Sequence, residues 1–404
     1  MIRGITRTAA ALAAASLLLT ACGGGDDTAD AKPSSAAPTG HPVFDQKLDR
    51  QLFLAARQTQ KAGNARFVQT LTFGSKKTGD LVRTMTGRMD FAGGRGQADV
   101  VWKVPKGVPE ETRTVVLGQT PGRGDGPASV GYLVDGQQIH YRAASSDYWI
   151  RYASGETTVI WDDAIDHLRG TEGPIGGTLL EGLSAAEAAT RSDTAAGRTY
   201  RASMPFAVLF TMFPHDLRRE LRIGIGSPDQ QDPVPLTATV DREGRITRAE
   251  ADLTKLLRKD GAFAGFTSLT TALTLTGYGT SAPVMTPSGT VRAAAEDVLA
   301  MRDVKDGGCV DFDSGQRLAH MVVNVDCAGP HDARVFTRIA LREGTSTADT
   351  QERSNVACAY AHDVQRPAWL PKATDIWAWW TPVPKGQPGK DGVTCYVPTK
   401  RGDS

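Results

Sequence analysis

Asp162, Asp163, Asp166 and His167 stand within one or two helical turns, and Asp163 and His167 are four residues apart. At that spacing two side chains share a helix face and can hold a metal or pass a proton. The same residues suit a solvated, charge-paired helix face, and that is the expectation here. A second arrangement repeats itself: His331-Asp332 begins four residues after Cys327, and His362-Asp363 begins four after Cys358. Echoed spacing is what two metal half-sites would show, whereas a capped loop beside each disulfide is the reading favoured for an exported chain. Cys309, Cys327, Cys358 and Cys395 all lie in the last hundred residues, separated by 17, 30 and 36 residues and without any Cys-x-x-Cys. Such gaps are poor for a compact zinc chelate, and an even number reads as two disulfides with three pairings open. No Gly-x-Ser-x-Gly, His-Glu-x-x-His or phosphate loop occurs. No catalytic residue, metal ligand or cofactor is therefore assigned, and the chain is not read as an enzyme.

The remaining cysteine, Cys22, carries a different chemistry. Arg3 and Arg7 supply a positive start, and Ala9 to Leu19 form an apolar run too short to span a bilayer. Leu19-Thr20-Ala21-Cys22 then places small residues before a thiol, which looks like a bacterial lipoprotein signal. In that reading residues 1–21 are cleaved and Cys22 is acylated. Each buried methylene contributes about 0.8 kcal/mol, so two or three chains hold a domain at a membrane. The expected location is the cell membrane, lipid-anchored, on its extracytoplasmic face.

The chain has 404 residues, 40% of them apolar, with 12 Phe, 8 Tyr and 7 Trp, enough for real cores. Without residues 1–21 there are 44 basic and 45 acidic side chains, a formal charge of −1. No field of either sign exists to attract nucleic acid, so no nucleic-acid partner is expected. Four of the seven tryptophans, Trp369, Trp377, Trp379 and Trp380, crowd one stretch. They are read as the core of a small domain in preference to an exposed stacking surface. Arg-Gly-Asp at 123–125 and 401–403 is read as flexible polar chain.

Residues 22–43 form a Gly-, Ala- and Pro-rich tether. From Phe44 the pattern turns helical, with Leu48, Leu52, Ala55, Ala56 and Thr59 on one face and Gly63 as a stop. Period-2 segments follow. Phe67, Leu71 and Phe73 alternate with polar residues, as do Leu81, Met85, Met89 and Phe91, and then Ala98, Val100, Trp102 and Val104. Shorter strands are expected over 112–118, 129–134, 138–143 and 147–152, making an antiparallel meander with one apolar face. A helical insert is expected around Trp161, Ile165 and Leu168 and again from Phe206 to Phe213 with Leu217 and Leu221. The sheet resumes over 236–240, 246–253 and 266–278. Residues 281–291 read as a linker, and 292–404 as a separate disulfide-bearing unit.

Two resemblances attach to these residues. Ala-Arg-Phe-Val-Gln-Thr-Leu-Thr (65–72), Thr-Gly-Arg-Met-Asp-Phe (86–91), the strand-turn-strand at 236–246 and Leu-Thr-Gly-Tyr-Gly (275–279) follow an amphipathic helix. In this order they make residues 44–280 resemble the LppX/LprG-type lipoproteins of mycobacteria and streptomycetes. The resemblance implies an α+β fold: a curved antiparallel β-sheet, or half-barrel, with helices on its concave side and acyl chains bound between them. Gly-Gly-Cys-Val-Asp (307–311), residues 323–335 with Cys327-Ala-Gly-Pro-His-Asp, and Gly-Val-Thr-Cys-Tyr-Val (392–397) resemble the septum-formation domain of actinobacterial membrane proteins. Lys390-Asp391-Gly392 stands where that family usually has Gly-Arg. The second resemblance implies association with division proteins, a small disulfide-stabilised C-terminal domain and no reaction. Together with nearness in sequence it implies the pairs Cys309–Cys327 and Cys358–Cys395.

The functional expectation follows. Phe67, Leu71, Phe73, Met85, Met89, Phe91, Val100 and Trp102 would line a cavity for a lipid or glycolipid ligand, closed by Leu209, Phe210 and Phe213. The same pattern is equally that of a filled core. The alternative function is therefore a scaffold or protein-interaction lipoprotein without cargo. In either case an envelope protein would be met through the C-terminal domain.

Overall fold

The computed structural model describes residues 40–117, 128–135, 138–153, 179–206, 217, 220–221, 232–315, 321–340, 347–372, 374–381 and 392–399. Cys22, the leader, most of the tether, the Asp162–His167 cluster, both Arg-Gly-Asp segments and Leu209, Phe210 and Phe213 lie outside them, as does the Trp380 side chain.

The alternating segments form strands β1 (Asn64–Gly74), β2 (Leu81–Asp90), β3 (Arg95–Lys103), β4 (Ala128–Asp135), β5 (Gln138–Arg142) and β6 (Tyr148–Ala153). After them come β7 (Glu187–Thr194), β8 (Gly197–Met204), β9 (Val234–Asp241), β10 (Ile246–Asp252), β11 (Ser268–Thr276) and β12 (Thr290–Ala293). All twelve share one large, curved, open sheet in the order β12-β6-β5-β4-β3-β2-β1-β11-β10-β9-β8-β7. The β1–β11 pairing, from Arg66↔Thr276 to Gly74↔Ser268, joins the early meander to the late one. Every pairing in this sheet is antiparallel except β12 on β6. The fold is thus mostly β with few helices, leaner in helix than an α+β reading implies.

Helix α1 (Leu48–Lys61) buries Gln51, Leu52, Ala55, Ala56 and Thr59. It ends where Gly63 takes a positive φ of 86°, which a Cβ would oppose, and β1 begins at once. Thr59 Oγ1 fastens the helix to the sheet, donating to Ala55 O and accepting from Ile246 N, each at 2.8 Å. Of residues 112–118, expected as a strand, 112–117 belong instead to helix α2 (Glu110–Leu117), and 118 lies outside the described residues. The β-branched run Thr112, Thr114, Val115, Val116 mimics a strand. Glu110 and Glu111 complement the helix dipole, and the buried Thr112 hydroxyl donates to Ala262 O. The β7–β8 hairpin falls between the two stretches expected to be helical. A short helix α3 (Leu179–Ser184) precedes it.

Strands β13 (Val298–Ala300), β14 (Cys309–Asp311), β15 (Met321–Val325), β16 (Ala333–Ala340), β17 (Trp377–Thr381) and β18 (Gly392–Pro398) form a second sheet, ordered β13-β15-β14-β16-β18-β17. Helix α4 (Thr347–Gln365) covers one face, packing Cys358 and Ala361 against Phe336, Ala378, Val393 and Cys395. The opposite face buries Met301, Val310, Phe312, Val335 and Tyr396, with Trp379 stacked on Phe312 at 5.9 Å. Cys309 is bonded to Cys327 and Cys358 to Cys395, so the second disulfide ties α4 to β18, between β16 and β17.

The chain between the sheets is fastened along the first one. Ser281 N donates to Asn64 Oδ1 at 2.7 Å, Trp149 Nε1 donates to Ser288 O at 3.0 Å, and residues 290–293 become β12. Tyrosines from β5 and β6 then reach β14 and the residues after it: Tyr141 to Asp313, Tyr148 to Asp311 at 2.6 Å, and Tyr152 to Ser314 O. Burial, then the neighbouring Asp311 carboxylate, raise the Tyr148 phenol above its usual range and keep it a donor.

Candidate functional site

Strand parity decides which side chains meet. On β1 the buried positions are Ala65, Phe67, Gln69, Leu71 and Phe73, and on β2 they include Leu81, Arg83, Met85 and Met89. The register turns these into rows across four strands. One row runs Leu275, Phe67, Gly87, Ala98; the next runs Leu273, Gln69, Met85, Val100; a third runs Thr271, Leu71, Arg83, Trp102. The eight expected cavity residues on described chain are all buried and belong to one cluster. Phe91 lies in the turn after β2, not in the strand.

Within the Phe67 row the aromatic ring lies across Gly87. A Cβ there would fall 2.7 Å from Phe67 Cε1 and 2.0 Å from Gln97 O, so only glycine lets the ring approach the backbone. At the far end of β1 the face is filled: Phe73 stacks on Phe263 at 4.5 Å and meets Phe266 edge-on at 5.8 Å.

Between these ends the inner face turns polar. Gln69, Arg83 and Thr271 are all nearly inaccessible and surround Leu71 on the register. Thr271 Oγ1 donates to Thr70 O at 3.0 Å. Gln69 is 5% exposed, and its Oε1 accepts no hydrogen bond among the described residues. An unmade bond at a buried amide costs about 1–3 kcal/mol. Gln69 and Arg83 are absent from the expected cavity lining. The signal was present: each occupies the inward parity of an apolar alternation, Gln69 between Phe67 and Leu71, Arg83 between Leu81 and Met85.

A second buried glutamine shows what a satisfied one looks like. Gln51 Nε2 donates to Phe44 O at 3.3 Å and Gln46 O at 2.6 Å, while its Oε1 accepts from Arg198 Nη1 at 2.9 Å and Tyr200 Oη at 2.7 Å. Arg198 also pairs with Asp193 and covers the Phe44 ring at 4.8 Å. Burial pushes the Tyr200 phenol up to about 12, with Arg198 opposing, so it stays a donor. This network pins α1 to β7 and β8 and leaves no capacity for a ligand.

In both Cys-His-Asp echoes the histidine meets a backbone carbonyl. His331 Nδ1 lies 2.8 Å from Gly329 O, and Asp332 Oδ2 accepts from Phe312 N at 2.9 Å, tying the loop beside the first disulfide. His362 is in α4 and not in a loop; its Nε2 lies 3.2 Å from Pro371 O. Among the described residues no group of three or more His, Cys, Asp or Glu is placed to hold a metal, and no helix is long and apolar enough to cross a membrane.

No family model and no curated protein matches the chain. Among solved structures it is similar to a LolA-superfamily protein from Nitrosomonas europaea, at 8% identity over 57% of this chain and 93% of that one, with a TM-score of 0.21. It is also similar to a DUF1329-family protein from Desulfovibrio piger, at 6% identity over 57% of this chain and 92% of that one, with a TM-score of 0.22. A third likeness is to the MucA/MucB complex of Pseudomonas aeruginosa, at 11% identity over 87% of this chain and 93% of that one, with a TM-score of 0.22. At such scores the likenesses carry no argument about what this chain does.

Proposed function

We propose that this is a lipoprotein anchored through Cys22 at the extracytoplasmic face of the cell membrane, and that it binds an amphiphilic lipid or glycolipid on the inner face of the twelve-stranded sheet. The observation that carries the reading is the polar interruption of an otherwise apolar face. Phe67, Met85, Met89 and Val100 offer the surface an acyl chain prefers, and the adaptable methionines suit an irregular guest. Gln69 Oε1 offers an acceptor to a headgroup hydroxyl or amide, and Arg83 places a cation on the same face. The proposal includes no reaction: the protein binds or passes its ligand unchanged.

Native mass spectrometry of the mature chain, with Cys22→Ser to prevent acylation, tests it. The expected result is a stoichiometric lipid that co-purifies and is retained less well in Gln69→Leu, a swap of similar volume that removes the acceptor. An apo mass with no uptake from added envelope lipids would overturn it. The Phe73–Phe263–Phe266 stack favours a second reading, in which the inner face is a filled core and the protein is a scaffold for envelope partners. The apo result would support that reading.

A further inference from the structure

Helix α4 buries one face and carries exposed apolar residues on the other. Ser354, Cys358, Ala361 and His362 face the second sheet and are buried. On the opposite side Val356 is 64% exposed, Tyr360 68% and Val364 59%, four residues apart in turn, so they form one stripe along the helix. Arg353 and Asp363 flank this stripe at its two ends. Both are exposed; the Asp363 side chain is 80% accessible, with its Oδ1 3.5 Å from His362 Nδ1. An open depression lies over Glu352, Arg353, Val356, Ala357 and Tyr360. A contiguous apolar stripe on a surface helix, rimmed by charge, is the signature of an association surface.

The positions of the charges identify the occupant. We propose that a second copy of this chain docks here, with two α4 helices packed antiparallel about a two-fold axis level with residue 358. That axis sets Val356 against the partner's Tyr360, and Tyr360 against the partner's Val356. It also sets Arg353 against the partner's Asp363 and, by symmetry, Asp363 against the partner's Arg353. The apolar centre and the Arg353–Asp363 flanks are therefore self-complementary, as an isologous interface requires, while Val364 meets the partner's Glu352 at each end. A parallel pairing would instead bring Arg353 onto Arg353. The disulfide from Cys358 to Cys395 holds the helix rigidly on its sheet, so the face is presented preformed. One helix pair buries less than the roughly 1,200 Å² of stable complexes, so the dimer is weak in dilute solution. Confinement of both copies to one surface would raise their effective concentration. The inference does not depend on any lipid being bound.

Sedimentation-velocity ultracentrifugation of the mature chain with Cys22→Ser, across a concentration series to several hundred micromolar, tests the proposal. The expected result is a reversible monomer–dimer equilibrium. Arg353→Asp, which sets carboxylates against carboxylates at both ends, should weaken it about tenfold or more. Combining Arg353→Asp with Asp363→Arg should restore it to near the starting value, and Val356→Lys with Tyr360→Lys should abolish it. All four residues are exposed, and an unchanged thermal transition shows that the variants fold. A chain that stays monomeric throughout would overturn the proposal. So would a dimer indifferent to Arg353→Asp, a charge swap that fails to rescue, or a stripe that binds anionic vesicles as a monomer.

Discussion

The two sheets of this protein solve the same problem with different means. The twelve-stranded sheet buries one continuous cluster that runs from Val43 to Leu275 and beyond, and contains no disulfide. The six-stranded sheet adds Val323 to that cluster and holds most of its other apolar residues in two small clusters, one on each face, and both disulfides lie there. Surface-to-volume scaling explains the contrast: a small unit removes too little apolar area from water to offset chain entropy, and cross-links remove part of that entropy from the unfolded state. The large sheet has stability to spare for an unmade hydrogen bond at Gln69. In the small one Phe312 N donates to Asp332 Oδ2 and Tyr148 Oη to Asp311 Oδ2.

The sharpest test of this contrast is a cavity in the large core. Phe67→Ala removes a ring packed on Gly87 and should cost about 3–5 kcal/mol, read from urea unfolding. A cost near 1 kcal/mol would mean that the inner face around Phe67 is loosely packed. Loss of the Cys358–Cys395 bond should cost about 2–5 kcal/mol, with hydrogen-exchange protection falling first in residues 298–399. It joins residues 37 apart, against 18 for Cys309–Cys327, so chain entropy makes its loss worse by about 0.6 kcal/mol. Equal loss of protection in β1 and β11 would show instead that Tyr141, Tyr148 and Tyr152 weld the sheets into one cooperative unit.

The smallest effects separate the two glutamines. Gln51→Leu removes the acceptor of Arg198 Nη1 and Tyr200 Oη and the donor to Phe44 O and Gln46 O, and should cost about 2–3 kcal/mol in thermal unfolding although Arg198 keeps Asp193 and Phe44 O. Gln69→Leu should change stability by less than about 1 kcal/mol, in the stabilising direction, because an apolar group replaces an unsatisfied one. Equal destabilisation by the two would remove the distinction between a structural and a ligand-facing amide.

Much of the large sheet was legible because period-2 alternation is a direct imprint of one-sided burial. Phe67, Leu71 and Phe73 on β1, and Met85 and Met89 on β2, announce both the strands and their inward face. The same parity exposes Gln69 and Arg83, which break it. Segment 112–118 misleads because β-branched residues signal a strand, while the choice was made by the distant Ala262 carbonyl that Thr112 reaches. The β7–β8 hairpin was invisible for a related reason. None of the eight β7 residues is buried, six being exposed and two half-buried on either parity, and an edge strand leaves no alternation to read.

By itself, then, the sequence determined the strand-rich character, the apolar face, the amphipathic α1 and an even set of cysteines confined to the last hundred residues. Each depends on neighbours along the chain, through periodicity, turn chemistry or composition. Tertiary structure alone decided that β11 returns to β1, that β12 joins β6 in parallel, and that tyrosines from one sheet end on carboxylates beside the other. It also decided that one buried glutamine is fully bonded and the other is not. These outcomes depend on groups more than a hundred residues apart, such as Gln51 with Arg198 and Tyr148 with Asp311, whose meeting no local pattern encodes.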